Sequence, residues 1–218
     1  MAEQTQEAPS TAARHALEGL RRAIAAGRLR PGERIGQEEL AEGLGVSIAP
    51  VREALAALEQ EGQLTYKPRR GYFVTELRLG DLEEIYGLRA LLEGRAARSA
   101  MERLADETLE RIELAARDVV NATGTNDVAA ELVANRRFHM ALLEDSEELH
   151  TMRLIRQLWD STEAYRALYY NSPAARVEAV RAHERIVEAV RDRDAERLVG
   201  ELDDHRRQAL DALADVLS

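Results

Sequence analysis

The chain has 218 residues, 45% of them hydrophobic and 32% charged, which is long enough for one or two domains that each bury a core. No apolar run approaches the roughly 20 residues that a membrane helix needs, and Cys 0 excludes disulfide frameworks and thiolate metal sites, so any metal must sit on His, carboxylate or amide. The formal net charge of -10 excludes a uniformly basic nucleic-acid binder, but its distribution is uneven: residues 1–77 hold 10 Lys plus Arg against 11 Asp plus Glu, and residues 78–218 hold 20 against 29.

The first stretch, MAEQTQEAPSTAAR, is polar and acidic where a secretory signal would be basic and then apolar. Residues 1–10 are therefore expected to be a disordered tail, and the compartment is expected to be the cytoplasm. Residues 11–27 space Leu17, Leu20 and Ile24 at three and four, the pattern of an amphipathic helix ending near Gly27. LRPGER is a turn. A short helix over 37–44 follows, broken by Gly45. Ser47 is the expected N-cap of a third helix running to about Glu61, with Pro50 in its first turn, where a missing N–H costs no hydrogen bond. QLTYK and GYFVT alternate apolar and polar residues around PRR, which predicts a hairpin with a basic tip.

Three helices and a hairpin over 11–77 make a winged helix-turn-helix, whose third helix enters the DNA major groove. On that helix Val51, Ala54, Leu55 and Leu58 share the inward face, leaving Ala49, Arg52, Glu53 and Ala56 outward and Ile48 at the margin. Arg52 suits a base or phosphate contact, and Ile48 or Ala49 can meet a thymine methyl. Lys67, Arg69 and Arg70 at the hairpin tip suit phosphate or minor-groove contact.

Residues 78–218 read as an antiparallel six-helix bundle, with helices near 81–103, 106–122, 127–144, 147–170, 174–192 and 194–217. Of the 5 His, His15 and His150 fall on polar faces. His139, His183 and His205 instead lie on apolar stripes of three separate helices, with Asn135 one turn before His139. One inward His is ordinarily a core residue bonded to a neighbour; three invite a divalent metal as their common acceptor. On residues alone the three can also serve a metal-dependent hydrolase, or be inert core in a structural helical dimer. Arg89 sits four residues before Glu93, either as a solvated pair or facing inward. Trp159, Tyr165 and Tyr169 are wall or core residues.

LRPGERIGQEELAEGLGVSIAPVREALAALEQEG with RRGYFV closely resembles the winged-helix domain of GntR-family bacterial transcription regulators. LGDLEEIYGLRALLEGRAARSA resembles the opening of the helical, FCD-type ligand domain of the FadR-like branch. The resemblance implies a mainly α regulator, not an enzyme: a repressor that binds a palindromic DNA operator as a homodimer. It implies a DNA-contact set of Ser47, Ile48, Ala49, Arg52, Lys67, Arg69, Arg70 and Gly71. It also implies a divalent metal, Zn or Ni, on Asn135, His139, His183 and His205, and a small organic acid as effector beside Arg89. Four positions depart from the family pattern: Ile48 and Ala49 stand where relatives carry Arg and Thr, Glu38 where a basic residue is frequent, and Asn135 where Asp is commoner.

Overall fold

The computed structural model describes residues 11–125, 127–170 and 172–217, apart from the side chains of Tyr169 and Val216; the expected tail at 1–10 lies outside the described residues. The chain divides into two compact units, Met1–Glu76 and Leu77–Ser218. No described helix is long and apolar enough to cross a membrane.

The first unit is built on α1 (Thr11–Ala25), α2 (Gln37–Leu44) and α3 (Ile48–Gln60), followed by β1 (Leu64–Lys67) and β2 (Gly71–Val74). Ala13, Ala16, Leu20 and Ile24 form the buried stripe of α1 and face Val51, Ala54, Leu55 and Leu58 of α3. Gly19 belongs to the same face because a Cβ there would stand 2.6 Å from a Leu44 methyl, so α1 and α2 approach where no side chain fits. Gly45 ends α2 at φ 64, the left-handed value that glycine adopts without strain. Ser47 occupies the N-cap position of α3, but its side chain makes no capping hydrogen bond, so the cap is conformational only.

The strands pair antiparallel from Leu64↔Val74 to Lys67↔Gly71, with 68–70 as the tip. Residues 32–35 add to the other edge of β2: Val74 N–H donates to Glu33 O at 2.9 Å and Ile35 N–H to Tyr72 O at 2.9 Å. The turn before α2 is thereby fixed to the wing.

The second unit comprises α4 (Leu79–Met101), α5 (Asp106–Thr125), α6 (Val128–Ala141), a 3-10 turn (Glu144–Ser146), α7 (Leu149–Ser161), α8 (Glu163–Tyr170), α9 (Pro173–Arg191) and α10 (Ala195–Leu217). Asp127 caps α6 by accepting from the N–H groups of Ala129 and Ala130, and Ser172 caps α9 ahead of Pro173. Phe138, Ile155, Trp159, Ile186, Val190, Leu198 and Leu202 meet in one core. Small residues let α4 approach the last helix: a Cβ on Gly94 would touch Val199 at 3.4 Å.

The helix expected over 147–170 is divided at Thr162. Ser161 and Thr162 turn their hydroxyls back onto the carbonyl of Leu158 at 2.9 and 3.3 Å, competing with the backbone ladder, and Arg166 Nη2 donates to the Trp159 carbonyl at 3.1 Å. The division turns Tyr165 and Arg166 toward the interior, where both are buried.

Candidate functional site

In the first unit, the start of α3 and the wing border one concavity of about 470 Å³, lined by Arg34, Gln37, Glu38, Glu39, Ile48, Arg52 and Gly71, among others. Ser47, Ile48, Ala49 and Arg52 are exposed, while Pro50 turns inward. Arg52 Nε donates to Gln37 Oε1 at 3.1 Å, which fixes the guanidinium beside the first turn of α2. Arg34 Nε donates to Arg70 O at 2.9 Å, so Arg34 extends the cationic surface of the wing. Lys67 Nζ lies 4.6 Å above the Phe73 ring, and Arg69 takes a positive φ of 62 at the tip. Arg34 and Gln37 are additions that the linear pattern hides, because each becomes adjacent only through tertiary pairing. Glu38 and Glu39 bring negative charge to the same concavity.

In the second unit, His139 of α6, His183 of α9 and His205 of α10 converge. Their potential ligand atoms all lie within 4.8 Å of one another, and the ring centroids are 4.8 to 5.2 Å apart. His15 and His150 are exposed and take no part. Burial lowers the pKa of all three inward imidazoles. His139 is pushed further down by His205, His183, Arg89 and Arg206, and His205 is lowered to about 4 by burial and then by Arg206 and Arg89. The cluster is therefore neutral near pH 7, the form in which imidazole ligates metal.

Asn135 is 2% exposed, and its Oδ1 has no hydrogen-bond partner among the described residues. The same holds for His139 Nε2, His205 Nδ1 and both nitrogens of His183. Buried orphan acceptors are costly, and a shared cation resolves them together. The donor set of three imidazoles and one amide oxygen fits a borderline divalent ion.

A cavity of about 30 Å³ adjoins the cluster, bordered by Asn135, His139 and His205 together with Arg89, Trp159 and Arg166. Arg89 faces inward and pairs with Glu93 in the same position: Arg89 Nε donates to Glu93 Oε1 at 2.7 Å, and both are buried. Glu93 also accepts from Trp159 Nε1 at 2.8 Å and from Arg206 Nη1 at 2.6 Å. Burial works to raise the Glu93 pKa, but Arg89 and Arg206 overcome it and the carboxylate stays ionised. Tyr165 is a core residue whose hydroxyl accepts from Leu77 N–H at 2.5 Å.

The family model for the FCD domain matches residues 84–208, and that for bacterial regulatory proteins of the gntR family matches residues 12–74. The chain belongs to the gntR family. Among curated relatives of this regulator, the uncharacterized HTH-type transcriptional regulator YdhC of Bacillus subtilis is 32% identical over 178 residues, 81% of this chain and 80% of YdhC. The HTH-type transcriptional regulator McbR of Escherichia coli is 33% identical over 140 residues, 64% of this chain and 63% of McbR. The solved structure of E. coli McbR/YncC superposes with a TM-score of 0.83 at 26% identity, covering 96% of this chain and all 100% of that one. A putative GntR regulator from Rhodococcus sp. RHA1 shares the fold, with a TM-score of 0.77 at 22% identity over 95% and 98% of the two chains. The gntR-family regulator is thus a DNA-binding transcription regulator with a winged helix-turn-helix and a helical FCD domain, not an enzyme, and the hydrolase alternative falls away. The histidine cluster and Arg89 both lie within the FCD match.

Proposed function

We propose that this regulator holds one divalent metal ion, Zn or Ni, on Asn135, His139, His183 and His205, and that a small organic acid bound beside it and paired with Arg89 alters the affinity for DNA. What carries the reading is the convergence of three buried, neutral imidazoles, their ligand atoms within 4.8 Å, with orphaned polar atoms around them. The bound ion would supply a Lewis-acidic anchor for a carboxylate oxygen. Asn135 contributes an amide oxygen where a carboxylate would cancel charge, so the liganded centre keeps the ion's full charge and favours an anion.

On the DNA side, Arg52, Ser47, Ile48 and Ala49 meet the major groove, and Lys67, Arg69, Arg70 and Gly71 bring the wing to the backbone or minor groove. A homodimer sets two such units on the half-sites of a palindrome, and the regulator acts as a repressor. Mobility shifts of DNA upstream of its own gene, with and without metal and candidate acids, test this reading. A specific shift that an acid changes is expected; no specific shift under any condition sinks it.

Two substitutions separate the roles on the DNA face. Ile48→Arg places a guanine-gripping side chain at the exposed start of α3 and should move selected half-sites toward guanine; an unchanged preference in a binding selection counts against that placement. Arg70→Ala should weaken binding equally across sequences and reduce the salt slope of the affinity by about 1, the signature of one lost phosphate contact. A change confined to one base position would contradict the assignment of Arg70 to the backbone.

A further inference from the structure

The opening turn of α3 presents little that hydrogen-bonds. Ile48 is 38% exposed and apolar, and Ala49 beside it is exposed and small. Discrimination between bases by hydrogen bonding therefore falls to the polar residues that share the concavity with Ile48, namely Arg34, Gln37, Glu38, Glu39 and Arg52. Arg34 Nε is held by Arg70 O on the wing. Arg52 Nε is held by Gln37 Oε1, which leaves the terminal Nη1–Nη2 edge of Arg52 to face a guanine or a phosphate. Glu39 lies back on the start of its own helix: its Oε2 stands 2.7 Å from the place where a Cβ on Gly36 would be.

Glu38 is different. It is exposed in the first turn of α2, lines the concavity with Ile48 and Arg52, and makes no hydrogen bond or ion pair with any described residue. A carboxylate only accepts hydrogen bonds. Against DNA it meets phosphates, which repel it, or base edges, where only an amino group complements it. In the major groove the amino groups are cytosine N4 and adenine N6. Adenine sets its N7 acceptor beside N6, and guanine and thymine offer acceptors alone, so cytosine is the base that a carboxylate meets without an opposing lone pair. The guanidinium groups of Arg34 and Arg52 in the same concavity offset the repulsion between this carboxylate and the phosphates.

We propose that Glu38 is a specificity-determining residue that accepts a hydrogen bond from the N4 amino group of a cytosine in the DNA half-site. This rests on the reading of the DNA face given above. It adds to Arg52, which suits guanine or phosphate, a contact that rejects guanine and thymine. The competing role for Glu38 is that of a charge favouring the positive end of α2, which carries no base preference.

A binding selection from random duplexes, run on the full chain and on Glu38→Ala, tests the assignment. The half-site selected by the unaltered protein is expected to hold a cytosine at one position whose preference Glu38→Ala loses, with the other positions unchanged. Exchanging that C·G pair for T·A should weaken binding by the unaltered protein about tenfold and leave the variant indifferent. Glu38→Gln keeps an acceptor oxygen and gains an amide donor, so adenine should join cytosine at that position. Tighter binding of Glu38→Ala to all sequences alike, with the selected half-site unchanged, would show an acid that only repels the backbone and overturns the inference alone. Lower specificity at every position together with a lower melting temperature assigns Glu38 to the stability of α2 and likewise overturns it. No selected sequence for the unaltered protein overturns it together with the reading on which it rests.

Discussion

Replacing Glu93 with alanine should destabilise the helical unit by about 3–5 kcal/mol, the cost of stranding a buried charge. Glu93 is 1% exposed and is the acceptor for Arg89, Arg206 and the Trp159 indole N–H at once. Its loss leaves the Arg89 guanidinium, itself 3% exposed, without a carboxylate, and it orphans the indole donor. Arg206 keeps Asp203, which moderates the effect on that side. For a chain of this size the change corresponds to a fall in Tm of about 10 °C or more. Chemical unfolding of the unaltered and variant proteins, followed by Trp159 fluorescence, measures it. A loss below about 1 kcal/mol, the range of exposed pairs, would mean that the network is solvated. Glu93→Gln, which keeps the shape and an acceptor but no charge, should fall between the two.

Metal-free protein should lose stability steeply between pH 6.5 and 4. His205 has an ordinary pKa of 6.5 and is lowered to about 4 in the folded chain, so in that window the unfolded chain binds a proton that the folded chain refuses. Stability therefore falls as the pH falls, by about 3 kcal/mol from His205 alone once the pH reaches the folded value. His139 and His183, lowered well below 6.5 chiefly by burial, act in the same direction, as does the lowered Glu93. Glu131, whose pKa is raised by burial against the opposing pull of Thr123 and Arg176, acts in the opposite sense. Melting curves across this range test the sign: a midpoint that is flat or rises on acidification would contradict buried neutral imidazoles. Replacing all three His with Gln should flatten the dependence.

Much of this is legible in the sequence, for identifiable reasons. His139, His183 and His205 each sit in a run with helical period, and helical period fixes which face is buried. The two-strand wing follows from alternation around PRR, and the inward face of α3 from the spacing of Val51, Leu55 and Leu58. The buried charges are hidden. Arg166, Arg206 and Glu93 occupy helix positions where a charged residue normally signals a wet face. Only the packing of α4 and α10 and the turn between α7 and α8 bring them together.

The split at Thr162 is equally hidden, because EAYRALYY continues an apolar period across it. What divides the helix is hydroxyl competition for the Leu158 carbonyl, a local contest that periodicity does not register. On the DNA face, Arg34 and Gln37 escape a linear reading because they reach Arg70 and Arg52 only after residues 32–35 join the edge of β2. Arg89 shows the converse case: its i+4 spacing to Glu93 is correct for a surface pair, yet the pair is buried, and spacing alone does not distinguish the two.

The most direct test of the central claim is calorimetric titration of metal-free protein with zinc, run in parallel on the unaltered chain and on His183→Ala. One ion per chain is expected to bind the unaltered protein, and the tight phase should disappear in the variant. Absence of binding in the unaltered chain, or the same stoichiometry and affinity in both, would contradict a metal centre on His139, His183 and His205.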